Sequence, residues 1–245
     1  MKNGTVNSLL INLIVGIILI LYSLFLYIDF YNVKTIITSD VIKYLCILLC
    51  FLLAILSTKN PHTDKCKDED MRLLVFGLLI TIIADLCLII LDFYTLGVLF
   101  FILVQITYSL RYTNKNIKVT LIRFFSIFIF ISFGYGIAIL FFKKNNILLP
   151  ISLFYVICLL VSVIEAIKAS ISNLYTPKSK YMIVFGMVLF LLCDTCVALS
   201  NITVIFPLSG YIMTRLSAIA SFLIWVFYLP SQLLLALSGN GRISG

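Results

Sequence analysis

Charged residues are scarce in this sequence, and that scarcity excludes a soluble globular domain. They make up 11% of its 245 residues, against 62% hydrophobic residues and a mean hydropathy of +1.18. A soluble domain needs a far more charged surface. Histidine is nearly absent: His62 stands alone and forms with Cys66 an isolated H-x3-C pair in a charged loop, which reads as solvated loop. Metal-ligand and nucleotide-binding patterns are absent, so neither metal nor cofactor is expected. A disulfide framework is also excluded, because the seven cysteines are odd in number and show no extracellular cluster. Six of them (Cys46, Cys50, Cys87, Cys158, Cys193 and Cys196) lie in apolar blocks, where cysteine acts as a small hydrophobe. Cys193 and Cys196 match a CxxC pattern in the middle of such a block, away from the electropositive, accessible setting that a reactive thiol needs.

What the chain does contain is long apolar runs. Crossing ~30 Å of hydrocarbon takes roughly 20 residues of helix, and only a self-satisfied backbone survives there. The expected fold is therefore all-α, a polytopic bundle of eight spans in a single integral membrane domain covering residues 1–245. The spans are placed at about 8–28, 41–57, 71–91, 95–111, 120–142, 148–168, 181–201 and 216–238. The first block is too long for a signal-peptide core and lacks a small-residue cleavage site. Asp92-Phe93-Tyr94 is a turn tight enough to make spans three and four an antiparallel hairpin, and the hydrophilic stretch Thr58–Asp70 is expected to be a mobile loop.

The net charge of +8 points to the membrane surface and not to nucleic acid, because the basic residues sit between apolar blocks. Thirteen lysines and arginines fall on the side of the termini and the even-numbered loops, against five (Lys34, Lys43, Lys143, Lys144 and Arg215) on the other. The positive-inside rule then puts both termini in the cytoplasm, and the expected location is a bacterial plasma membrane. One pattern recurs: Phe76-Gly77, seven residues, Asp85-Leu86-Cys87 and Phe185-Gly186, seven residues, Asp194-Thr195-Cys196. Spans three and seven both run outward, so the echo suggests two parallel four-span repeats.

Acidic residues deep in a span are rarely idle, since each costs roughly 2.5–3.5 kcal/mol on insertion scales. Asp85 and Asp194 lie thirteen and fourteen residues beyond Arg72 and Lys180, at nearly equal depth in the outer half of the bilayer. No lysine or arginine is expected inside a span to neutralise them. Hydrocarbon disfavours an isolated carboxylate, and a carboxylic acid beside a carboxylate is what general acid–base catalysis requires. Gln105 with Tyr108 in span four, and Tyr228 with Gln232 in span eight around Pro230, could complete a site, though each alone also serves as interhelical glue. Glu165 reads as an interfacial ion pair with Lys168, while Asp29 and Asp92 sit at span ends where hydration suffices.

These segments resemble the YhhN-like family of eight-span membrane proteins, which includes the lysoplasmalogenases. Ala84-Asp85-Leu86-Cys87-Leu88 with Phe100, Gln105 and Tyr108 is similar to its G-D-x-x-L and F-x4-H/Q-x2-Y pattern. Phe190 to Ala198 is similar to F-x2-S-D-x3-A, and Tyr228 to Leu233 to Y-x3-Q-L. Ala84 replaces a frequent glycine, Cys193 a frequent serine, and Gln105 stands where many members have histidine. The resemblance implies hydrolysis of the vinyl ether of a lysoplasmalogen, an amphiphilic lipid entering between helices, with Asp85 and Asp194 as acid and base in either order. Two other classes use the same aspartates or explain the bundle without them: a proton-coupled transporter, and a non-catalytic membrane sensor. Oligomeric state is not legible.

Overall fold

The computed structural model describes residues 2–34, 36, 38–57, 65–113, 117–142, 147–201 and 211–239. Eight long helices account for nearly all of them: α1 (Lys2–Tyr31), α2 (Ser39–Ser57), α3 (Lys65–Asp85), α4 (Tyr94–Tyr112), α5 (Ile117–Phe142), α6 (Leu148–Ile171), α7 (Pro177–Ser200) and α8 (Tyr211–Leu237). All eight are long and apolar enough to cross a membrane, as the hydropathy pattern predicts. The ends move by up to six residues, most at α1, α3 and α8, which begin six, six and five residues before the expected spans. Leu9, Ile20, Phe125, Phe130 and Ile212 are all at least 64% exposed. That surface suits lipid, which solvates such side chains at no cost.

Helix ends follow local chemistry. Asn32 and Asn173 take the left-handed conformation, at φ 50° and 54°, just past α1 and α6. The amides of Val33 and Leu174 then reach back to the carbonyls of Ile28 and Ala169 at 3.1 and 3.3 Å. Asparagine tolerates that conformation, and the i→i−5 bond satisfies a carbonyl that the helix end would otherwise strand. The hairpin between α3 and α4 turns at Asp92 and Phe93 as expected, with Asp92 at φ 55°.

The described residues group into two compact units. One comprises α1, α2, α8 and α7 from Tyr181 onward. There the Tyr22 hydroxyl donates to the Val226 carbonyl at 2.9 Å, Phe25 meets Trp225 edge-on at 5.8 Å, and Ser231 Oγ donates to the Gly186 carbonyl at 2.8 Å. The other comprises α3 to α6. Its centre is α4, which packs on α3 and α6.

Three charged positions depart from expectation. Asp70 belongs to the first turns of α3 and is 1% exposed, so the hydrophilic stretch is helical from Lys65; Thr58 to Asp64 and His62 lie outside the described residues. Arg111 is fully buried and donates through Nε and Nη2 to the two Asp70 oxygens at 3.2 and 3.1 Å. Tyr175, from the α6–α7 connection, donates to Asp70 and lies 3.1 Å from the Arg111 carbonyl. Lys43 is likewise buried, within α2, and pairs with Asp29 at 2.9 Å and Asp40 at 3.1 Å. Basic side chains therefore do lie inside spans, neutralised by carboxylates that sequence position alone had left to water. Glu165 pairs as expected with Lys168 at 3.5 Å, and also with Arg123 at 3.0 Å.

Candidate functional site

Asp85 closes α3 at 3% exposure, flanked by buried Ala84 and Cys87. Immediately beyond it, Leu86–Ile90 widens into a π-turn, with the Leu91 amide bonding the Leu86 carbonyl at 3.1 Å. The Phe93 amide caps the Cys87 carbonyl at 2.8 Å. Such a bulge inserts one residue into a helical turn and recurs at functional sites. Gly97 of α4 is what accommodates it: a Cβ there would stand 2.4 Å from Leu88 Cγ and 3.2 Å from the Ala84 carbonyl. The two helices thus touch backbone to backbone beside Asp85.

Deeper in the same hairpin the ring of Tyr108 lies on Gly77, whose added Cβ would fall 2.7 Å from Tyr108 Cε1. Register from these two contacts sets Gln105 and Tyr108 about 10 Å or more along the helix axis from Asp85. They do not surround that carboxylate, although both are fully buried. Gln105 instead faces α6. Ser162 Oγ lies 2.6 Å from Gln105 Oε1 and 2.8 Å from the Leu159 carbonyl. One hydroxyl proton serves only one of these, so the amide can also be turned with nitrogen towards Ser162. In either orientation one end of the Gln105 amide meets no partner among the described residues.

Asp194 lies in the other unit, on α7, and is only half-buried. One turn deeper, Phe190 meets Tyr228 of α8 edge-on at 5.8 Å. That register brings Trp225 to the depth of Asp194. Trp225 packs edge-on against Tyr228 at 5.3 Å, and Lys43 Nζ lies 5.2 Å from its ring centroid. Sequence reasoning passed over both residues. The available signals were a lysine two residues inside an apolar block and an aromatic one turn before Tyr228. Gln232 lies at the depth of Gly186, about two turns below Asp194; it is fully buried, and neither end of its amide has a partner among the described residues.

Asp85 and Asp194 thus each have, within their own unit and roughly two turns back along the helix, a buried glutamine on the facing helix with unmet hydrogen-bonding capacity. No group of three or more histidine, cysteine or acidic side chains able to hold a metal occurs among the described residues. The family model described as YhhN matches residues 38–239, most of the chain. No curated protein and no solved structure matches it.

Proposed function

The chain belongs to the YhhN family, and from that premise we propose that it is a membrane-embedded hydrolase cleaving the vinyl ether of lysoplasmalogens. The observation that carries this reading is Asp85, a carboxyl group enclosed at 3% exposure where α3 gives way to a π-turn. An acidic side chain in such a place is costly to keep without a use.

A vinyl ether is cleaved by protonating its β-carbon. The α-carbon becomes an oxocarbenium ion, water adds to it, and the resulting hemiacetal collapses to a fatty aldehyde and a glycerophospho-alcohol. The enclosed Asp85 donates the proton. The more open Asp194 stabilises the cation and takes the proton from the attacking water, a division of roles that glycoside hydrolases also use between two carboxyl groups. This reading takes the chain as a single membrane domain. Gln105 and Tyr108 support Asp85 within the α3–α6 unit, and Tyr228 and Gln232 support Asp194 within the other. Both termini lie in the cytoplasm: setting aside buried Arg111 and Lys43 leaves twelve basic residues against four, so the asymmetry persists.

Purified protein in detergent, given a lyso-plasmenyl lipid and its lyso-acyl counterpart, should release aldehyde from the first only. Asp85→Asn and Asp194→Asn should each abolish that release while folding normally. Well-folded wild type that yields no aldehyde overturns the proposal, and proton-linked flux into liposomes that needs the same aspartates would replace it with transport.

A further inference from the structure

Buried hydroxyls and amides nearly always find a hydrogen-bond partner, in protein or in ordered water. In the α3–α6 unit the side-chain atoms with none among the described residues include Gln105 Nε2, Ser109 Oγ and Thr120 Oγ1. Their residues are 0%, 0% and 1% exposed. They are not scattered. Gln105, Ser109 and Tyr112 follow one another at i, i+4 and i+7 on α4 and so share a stripe about 60° wide. Thr120 lies on α5. Ile106 shares one groove with Phe124 and Phe125, and that antiparallel register brings Thr120 to the depth of Ser109.

The opposite wall cannot satisfy them. The Gln105–Ser162 contact fixes the register of α4 on α6. One and two turns past Ser162, α6 presents Ala166 and Ala169, at 0% and 2% exposure. Their methyl groups offer no polar atom. The stripe ends at Tyr112, whose ring centroid lies 5.5 Å from Arg111 Cζ, at the end of the unit where Arg111 meets Asp70.

We propose that this stripe is an internal water site, a short file of ordered waters held by Gln105, Ser109 and Thr120 that leads from the Arg111 end into the span. From Gln105 to Tyr112 the helix rises about 10 Å, a distance that a few waters at hydrogen-bond spacing cover. Apolar cavities stay dry, whereas a polar one with two or more partners per water fills. The ligand is water, and the file supplies water or protons to the middle of the unit. It serves hydrolysis and proton movement alike, so it stands independently of the lysoplasmalogen reading.

X-ray hydroxyl-radical footprinting of the intact protein in ¹⁸O-labelled water tests this directly, because radicals born from a bound water mark the ring beside it. Tyr112 is 1% exposed, as closed to bulk solvent as Phe25 at 0% and Phe190 at 1%. After correction for intrinsic ring reactivity, Tyr112 should gain label several-fold faster than both phenylalanines. The Ser109→Ala/Thr120→Val double variant should bring Tyr112 down towards their rate. Equal rates in the wild type overturn the proposal even if the double variant does not fold. A folded double variant that labels Tyr112 at the wild-type rate overturns the assignment of these residues as its holders.

Discussion

Removing one member of the Asp70–Arg111 pair should cost far more stability than removing both. Arg111 is wholly buried and Asp70 is 1% exposed, so no solvent screens a charge left behind. The guanidinium donates two bonds, at 3.2 and 3.1 Å, and Tyr175 adds a third donor to the same carboxylate. Breaking a buried pair from one side typically costs ~3–5 kcal/mol, whereas replacing both partners with apolar groups of similar volume is often neutral or stabilising. Arg111→Met and Asp70→Asn should therefore each lose about 3–5 kcal/mol. Tyr175→Phe, which removes one hydrogen bond to a charged group, should lose roughly 1.5–3 kcal/mol. Asp70→Leu/Arg111→Met should lie well above the sum of its parts, because neither charge is then stranded. The assay is SDS-driven unfolding of purified single and double variants, read as a double-mutant cycle. Asp85 lies about 22 Å along α3 from Asp70, so variants that stay folded should keep wild-type turnover. Arg111→Met within about 1 kcal/mol of wild type would refute the argument, as would additive losses in the double variant.

Gly97→Ala should be the most damaging of the small substitutions near Asp85. Its new methyl falls 2.4 Å from Leu88 and 3.2 Å from the Ala84 carbonyl, so overpacking should cost ~1–3 kcal/mol and lower aldehyde release by displacing the π-turn. Retained turnover with a normal melting curve would show that the hairpin tolerates the shift. Gln232→Met should act oppositely on stability and activity. It removes a buried amide that lacks partners among the described residues, so it should stabilise the fold by about 1 kcal/mol or more and reduce turnover. A lower melting temperature would show that the amide is satisfied in the folded protein.

Span number and the α3–α4 turn were legible because each depends on where an apolar run stops, which sequence states directly. Azimuth was not. Arg111 is the last residue of its expected span, and Asp70 the last of the expected loop. Hydropathy treats both as interfacial, and only packing of helices 41 residues apart turns them inward to meet. Lys43 hid in the same way, two residues inside an apolar block and bonded to carboxylates on α1 and α2. Counting residues gave Asp85 and Asp194 nearly equal depth; in their own helices Asp85 closes α3 and Asp194 lies within α7, ahead of its end at Ser200. It gave no warning that one would be enclosed and the other half-open. The π-turn left no residue-level signature at all, since leucine and isoleucine fill ordinary helix equally well. Its trace is indirect, in a glycine on the facing helix.

The sequence echo extends into the local architecture. On α3, Gly77 seats Tyr108, with Gln105 one turn outward on the facing helix and Asp85 eight residues on. On α7, Gly186 seats Leu235 and approaches the Ser231 carbonyl, with Gln232 between those two residues and Asp194 eight residues on. Accidental likeness between apolar segments would repeat leucines; it would not repeat a glycine seat, a buried amide with an unmet end and a carboxyl group in the same vertical order. The two hairpins share these features. One difference lies beside the carboxyl groups: α3 breaks into a π-turn directly after Asp85, whereas α7 runs unbroken from Asp194 to Ser200. Equivalent frameworks that give their aspartates unequal environments are the condition under which one carboxyl group can hold a proton while the other gives its proton up. If duplication supplied two identical carboxylates, the π-turn is the change that made them unlike, and restoring regular helix after Asp85 by deleting one residue of Leu86–Ile90 should abolish turnover while leaving Asp194 and its hairpin intact.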